Sequence, residues 1–240
     1  MSQAPVIHPT AVVDPAVEIG DGTVIGPYCV ILGPCRIGID CRIGPHVVIG
    51  TTSEHAGEMV LPAIPEFGSI DERNTDLWFG GLGCGIEIGN SVIIREFSVI
   101  NQGTSCATHI GSKSFVMNSS YIAHDCQVGI ETKIGPVASL AGHVSVGDQA
   151  TVGMKASVHQ HRRIGALAMI GMNATVVHDI APFALAMGTP ARETGVNANG
   201  LERAGYSLSD IAALETFRAG GGSLPKKMAN NYAKWSESTE

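Results

Sequence analysis

Aromatic residues are scarce in this 240-residue sequence, at 5%, and charged residues are few, at 15%. The first scarcity excludes a core built from packed rings, and the second excludes a charge-rich disordered chain. A basic surplus is also missing: 15 Lys and Arg stand against 22 Asp and Glu, for a formal charge of -7. That balance gives no broad cationic footprint for nucleic acid or anionic lipid. There is no uninterrupted apolar run of about 18 residues, so stable membrane insertion is not expected. The opening MSQAPVIHPTAVVDPA has neither a basic leader nor an apolar signal core, which makes the cytoplasm the expected compartment. The six cysteines (Cys29, Cys35, Cys41, Cys84, Cys106, Cys126) include no C-x-x-C pair and are expected to be reduced thiols.

Glycine is abundant, at 30 residues, and the aliphatic residues recur every sixth position. Ile7, Val13, Ile19, Ile25, Ile31, Ile37, Ile43 and Ile49 follow one another without a slip. The series resumes at Ile88, Ile94 and Ile100, then runs from Ile110 through Val176. A period of six fits neither a helix nor plain strand alternation; it fits a triangular coil in which each hexad makes one face and three hexads make one turn. The aliphatic residue points inward, a small residue fills each corner, and glycine or asparagine is expected at the bend. Cys29, Cys35 and Cys41 read as such small buried residues. With coils about 4.8 Å apart, nine or so would make a prism on the order of 40 Å tall.

The domain reading is a hexapeptide-repeat β-helix over residues 1 to 187 and a small α-helical domain with a tail over residues 188 to 240. Two interruptions, residues 51 to 87 and 101 to 109, are expected to project from the prism as loops of the kind that carry function. In the second domain, Ser207 and Asp210 suit a helix N-terminus, the GGG at 220 to 222 ends that helix, and PKKMANNYAKW suits another.

Eighteen residues per turn places His124, Gly142 and Gln160 in one vertical line, with His143 beside it and His159 and His161 bracketing its upper end. His8, His46, His55, His109 and His178 join no constellation. An imidazole able to deprotonate a hydroxyl, a carboxylate at Asp125 to orient it, and a backbone N–H at Gly142 to meet an oxyanion make a geometry for acyl transfer. The competing reading is a solvated polar stripe. Histidine spacing for a zinc shared between subunits is lacking, so no metal is expected.

The segments IHPTAVVDP, IREFSVINQGT, IAHDCQVG, LAGHVSVGD, SVHQ and GVNANGLERAGYS resemble the acyl-carrier-protein-dependent UDP-N-acetylglucosamine 3-O-acyltransferases of lipid A biosynthesis, a branch of the hexapeptide-repeat acyltransferases. The resemblance implies a left-handed parallel β-helix, an exception to the right-handed crossover rule, and a homotrimer with active sites between subunits. It implies His124 as the general base, Asp125 as its orienting carboxylate and Gly142 as the oxyanion donor. Asp76 would contact the sugar, His143 and Gln160 would lie near sugar and pantetheine, and Asn197 and Arg203 would contact the nucleotide. Acyl carrier protein would be the donor partner and a UDP-sugar the substrate, with no further cofactor. Met172 matches the position that sets acyl-chain length, where methionine implies a medium chain.

Trp78, Tyr121, Glu202 and Ala204 depart from that pattern, all on the nucleotide side. Candidate cations for docking an acidic carrier are Arg162, Arg163, Lys226 and Lys227, against the reading of each as a solvated surface charge. Two alternatives remain open: a related acyl- or acetyltransferase acting on another nucleotide sugar or an amine, and a β-helical binding protein without catalysis.

Overall fold

The computed structural model describes residues 3–53 and 83–237. The period of six becomes three parallel sheets, ten-, eight- and seven-stranded, that wrap one prism. Strands 18 residues apart pair directly, as Val6 with Val24 and Ile7 with Ile25. The ladder survives both interruptions: Ile93 pairs with Arg42 on one side and with Phe115 on the other. The repeating aliphatic residue fills the interior, so that Ile25, Ile31, Ile37, Ile94, Ile100, Ile122 and Ile134 are fully buried. Ile7 is exposed instead, because it lies on the end coil and has only one neighbouring coil to cover it.

Glycine and asparagine do not dominate the bends. Most left-handed corner residues carry ordinary side chains, among them Tyr28, His46, Phe97, Asp125, Val137, His143 and His161. A positive φ is costly for such residues, and the coil stack compensates. The corner N–H donates to the carbonyl one coil away, as His46 to Pro27 (3.0 Å), His143 to His124 (3.0 Å) and His161 to Gly142 (3.0 Å). Corner side chains are thereby fixed in columns 18 residues apart. Cys29, Cys35 and Cys41 are free and buried. Burial pushes the Cys35 thiol up to about 12, which leaves it inert.

The sheet continues past residue 187: Arg192–Val196 returns antiparallel on Ala184–Met187. Three helices follow, α1 (Ala198–Arg203), α2 (Leu208–Arg218) and α3 (Lys226–Glu237). Ser207 and Asp210 form a reciprocal capping box at the start of α2. The helices close over the prism with Leu167, Phe183, Leu201, Ile211, Leu214 and Met228, and with Tyr206, Phe217 and Tyr232 packed around them. Aromatic residues are thus concentrated where irregular surfaces meet. Among the described residues, no helix is long and apolar enough to cross a membrane.

Candidate active site

Both interruptions and the histidine line share one vertex. The segments that leave Val48–Thr51 and Val99–Asn101, and the corners after Tyr121–Ile122, Ser139–Leu140 and Ser157–Val158, all follow successive strands of the same sheet. The loop between Asn101 and Thr108 does not simply project. It curls over Asp125, whose side chain is fully buried.

That loop makes a cradle. Asp125 Oδ1 accepts from the backbone N–H of Thr104 (3.0 Å), Ser105 (2.8 Å) and Cys106 (2.8 Å) and from the Ser105 hydroxyl (3.0 Å). Oδ2 accepts from the Thr104 hydroxyl (2.6 Å) and lies 2.6 Å from His124 Nδ1. Successive N–H groups converging on one oxygen form an anion nest. Burial opposes ionisation here, but the bonds from Thr104, Cys106, His124 and Ser105 outweigh it and hold Asp125 well below the usual carboxylate range.

An ionised carboxylate only accepts, so the proton of His124 sits on Nδ1 and Nε2 is left as the basic nitrogen. The ring lies against Gly142: a Cβ added there would come within 2.5 Å of Cε1 and 2.6 Å of Nε2. Glycine is required at 142 by this close approach, and its N–H has no hydrogen-bond partner among the described residues. Base and free donor therefore sit side by side, with the imidazole side chain one-fifth exposed. A hydroxyl brought to Nε2 could be deprotonated beside a donor for the resulting oxyanion.

His143 stands beside the line as expected, and His161 stacks on it. Counting 18 from Asp125 gives His143 and His161, and these form a second column beside the first. His143 stands edge-on to His124, 5.1 Å between centroids and 89° between planes, with Nε2 3.7 Å from Asp125 Oδ2. Burial, helped by His161 and His124 and opposed by the Asp125 charge, pushes the His143 value down from 6.5. His161 stacks on His143. His159 is exposed and turned to the Gln160 carbonyl (3.1 Å).

Gln160 is exposed one coil beyond Gly142. Asn197 is nine-tenths buried and caps α1: Oδ1 accepts from Gly200 N–H (3.1 Å) and Nδ2 donates to the Leu167 carbonyl (2.8 Å). One Nδ2 hydrogen and one Oδ1 lone pair stay available for the nucleotide contact expected of it. Arg203 is exposed in the last turn of α1, with Nε on the Asn199 carbonyl (3.1 Å). Met172 is exposed, on the vertex column it shares with Met154. Asp76 and Trp78 lie outside the described residues. Of the docking cations, Arg163 is committed internally: it pairs with Asp179 (2.9 Å) and lies 4.1 Å from the Trp235 ring of α3. Arg162 also reaches Asp179 (3.7 Å), and Lys227 reaches Asp210 (3.5 Å).

His124, Asp125 and His143 bring metal-ligating atom types within 4.8 Å of one another. Six donors already meet the Asp125 carboxylate, which offers about four lone-pair sites. A cation there would have to strip the cradle, so this donor set suits proton handling better than coordination.

Comparison with known proteins agrees with the architecture. Residues 16–51 match the family of bacterial transferase hexapeptide repeats, and residues 179–218 match domain 2 of the UDP-N-acetylglucosamine O-acyltransferases. LpxA from Acinetobacter baumannii is 29% identical over 88% of this chain and 81% of its own, with a TM-score of 0.71. The UDP-N-acetylglucosamine acyltransferase from Campylobacter jejuni is 28% identical over 95% of this chain and 90% of its own, with a TM-score of 0.72. This chain is built as a UDP-N-acetylglucosamine acyltransferase is built. The fold is accordingly the left-handed parallel β-helix of that acyltransferase family, closed by three short helices. The Arabidopsis UDP-N-acetylglucosamine acyltransferase has the same architecture at 27% identity and a TM-score of 0.65.

What sequence reasoning missed was the cradle. The signal was present: Thr104 and Ser105 lie about one coil before Asp125, once the longer corner is allowed for.

Proposed function

We propose that the protein transfers a 3-hydroxyacyl chain from acyl carrier protein to the 3-hydroxyl of UDP-N-acetylglucosamine, in lipid A biosynthesis. The observation that carries this reading is the His124 ring, held by a buried anionic Asp125 through Nδ1 and lying against the Gly142 N–H, which has no partner among the described residues. The likeness to named acyltransferases over most of the chain supports the substrate class.

In this mechanism His124 Nε2 takes the hydroxyl proton as the sugar oxygen bonds to the thioester carbonyl carbon. The tetrahedral oxyanion accepts the Gly142 N–H. Collapse breaks the carbon–sulfur bond, and the imidazolium returns its proton to the departing pantetheine sulfur. Asp125 stays ionised and stabilises the imidazolium, as in other histidine–carboxylate pairs. The acyl group arrives activated as a thioester, so no further cofactor is needed. His143 and Gln160 line the approach of sugar and pantetheine, Asp76 contacts the sugar, and Arg203 reaches the nucleotide. Asn197 contacts the nucleotide as well, and it caps the short helix that carries Arg203. A neighbouring copy in a homotrimer completes the cleft.

Mass analysis of the product from UDP-N-acetylglucosamine and a mixed pool of 3-hydroxyacyl carrier proteins tests this. The expected product is a single ester of medium chain length, and its formation should fall about 10²–10⁴-fold in His124→Ala. An amide on an amino sugar, an acetyl ester from acetyl-coenzyme A, or transfer that survives His124→Ala would replace this reading.

A further inference from the structure

The role of His161 is not accounted for by the base, its carboxylate or the oxyanion donor. Its ring lies face to face on His143, 4.5 Å between centroids and 6° between planes. Its backbone N–H is fixed on the Gly142 carbonyl at 3.0 Å, so the stack is registered to the residue that carries the free N–H. His143 in turn stands edge-on to His124 and near the cradle carboxylate. The order from cradle to outer coil is thus Asp125, His143, His161, with φ of 59°, 60° and 59°. Among the described residues no hydrogen bond holds the His143 ring, so the stack, the edge contact and the Asp125 carboxylate 3.7 Å from Nε2 are what set its plane.

We propose that His161 is a positioning residue, whose stacked imidazole holds the His143 ring edge-on to the His124 base. This rests on the acyl-transfer reading for its kinetic consequence, though not for the ring geometry itself. Groups facing the pair are Asp125 and His124 on the His143 side. On the His161 side, His159 and Arg162 flank it along the chain; His159 turns to the Gln160 carbonyl, and Asp179 of the next coil lies over Arg163 and pairs with Arg162 and Arg163. A positive charge on His161 stands against His143 and disfavours protonation of the His143 ring.

Two substitutions separate stacking from charge. Phenylalanine keeps a planar ring and tolerates this corner, since Phe97 occupies the equivalent left-handed position at φ 62°. Asparagine tolerates the same backbone and removes the ring. In His161→Asn, kcat/KM should fall by up to about a hundredfold, as expected for a displaced reacting group, and His161→Phe should recover most of it. Ring titrations by nuclear magnetic resonance, read on the free full-length protein, should show the His143 midpoint moving up in both variants. An unmoved His143 midpoint in both, or a His161→Asn enzyme as active as the parent, overturns the proposal. If the parent transfers no acyl group, the acyl-transfer reading fails, and the titrations still decide the His143–His161 pairing.

Discussion

At the scale of single residues, the site depends on two positions that could hardly be changed. Gly142 has no room for a Cβ because the His124 ring already fills that space. Gly142→Ala should therefore push the ring aside, with kcat down on the order of a hundredfold and thermal stability nearly unchanged; kinetics beside a melting curve checks both. Asp125 has the opposite character, a charge enclosed by donors. Its folded-state value lies below the ordinary 3.8, so its stabilisation is full above that pH and is lost as pH falls from there towards the folded value. In urea titrations the stability gap between the parent and Asp125→Asn should be flat near neutrality and should narrow below about pH 4. His143 acts at higher pH. Its folded value lies below 6.5, so lowering the pH through 6.5 protonates the unfolded chain first and removes stability.

Among elements, the short loop after Asn101 matters most. Its length and its hydroxyls are fitted to one carboxylate, which converts a bare His-Asp dipeptide into an oriented base. Thr104→Val keeps the shape and removes the 2.6 Å hydroxyl bond to Oδ2. The expected cost is about 1–3 kcal/mol, from leaving part of a buried anion unsatisfied, together with a fall in activity at neutral pH. Denaturant unfolding and initial rates on the same preparation check it. The helices act differently, by closing one end of the prism. Trp235 of α3 covers the Arg163 guanidinium, and Arg218 of α2 pairs with Glu193. Two cations that a count of charges would offer to a partner are thus internal fasteners.

For the whole molecule, the repeat turns sequence distance into vertical position. Residues 18 apart become stacked neighbours, and one vertex gathers the insertions and the histidines. Met172 and Met154 lie on a different vertex, exposed and apolar, where they could limit a chain bound from outside. Met172→Gly should shift acyl preference towards longer 3-hydroxyacyl thioesters, as read by competition between chain lengths in one reaction. An unchanged preference would assign chain length to another residue.

The hexad series of isoleucines and valines determined the prism, because only one coil pitch buries a residue at every sixth position. The same arithmetic places His124 beneath Gly142, and Ser207 with Asp210 marks the start of a helix. Counting from Asp125 would also have found His143 and His161 in one column, since the operation is identical. The remaining features depended on contacts between segments that no period relates. The enclosure of Asp125 by an irregular loop, the withdrawal of Arg163 under Trp235 and the internal bonding of Asn197 were decided by tertiary structure. Hydrogen bonds and ring contacts depend on where side chains meet in space, and a repeat fixes only the scaffold from which they start.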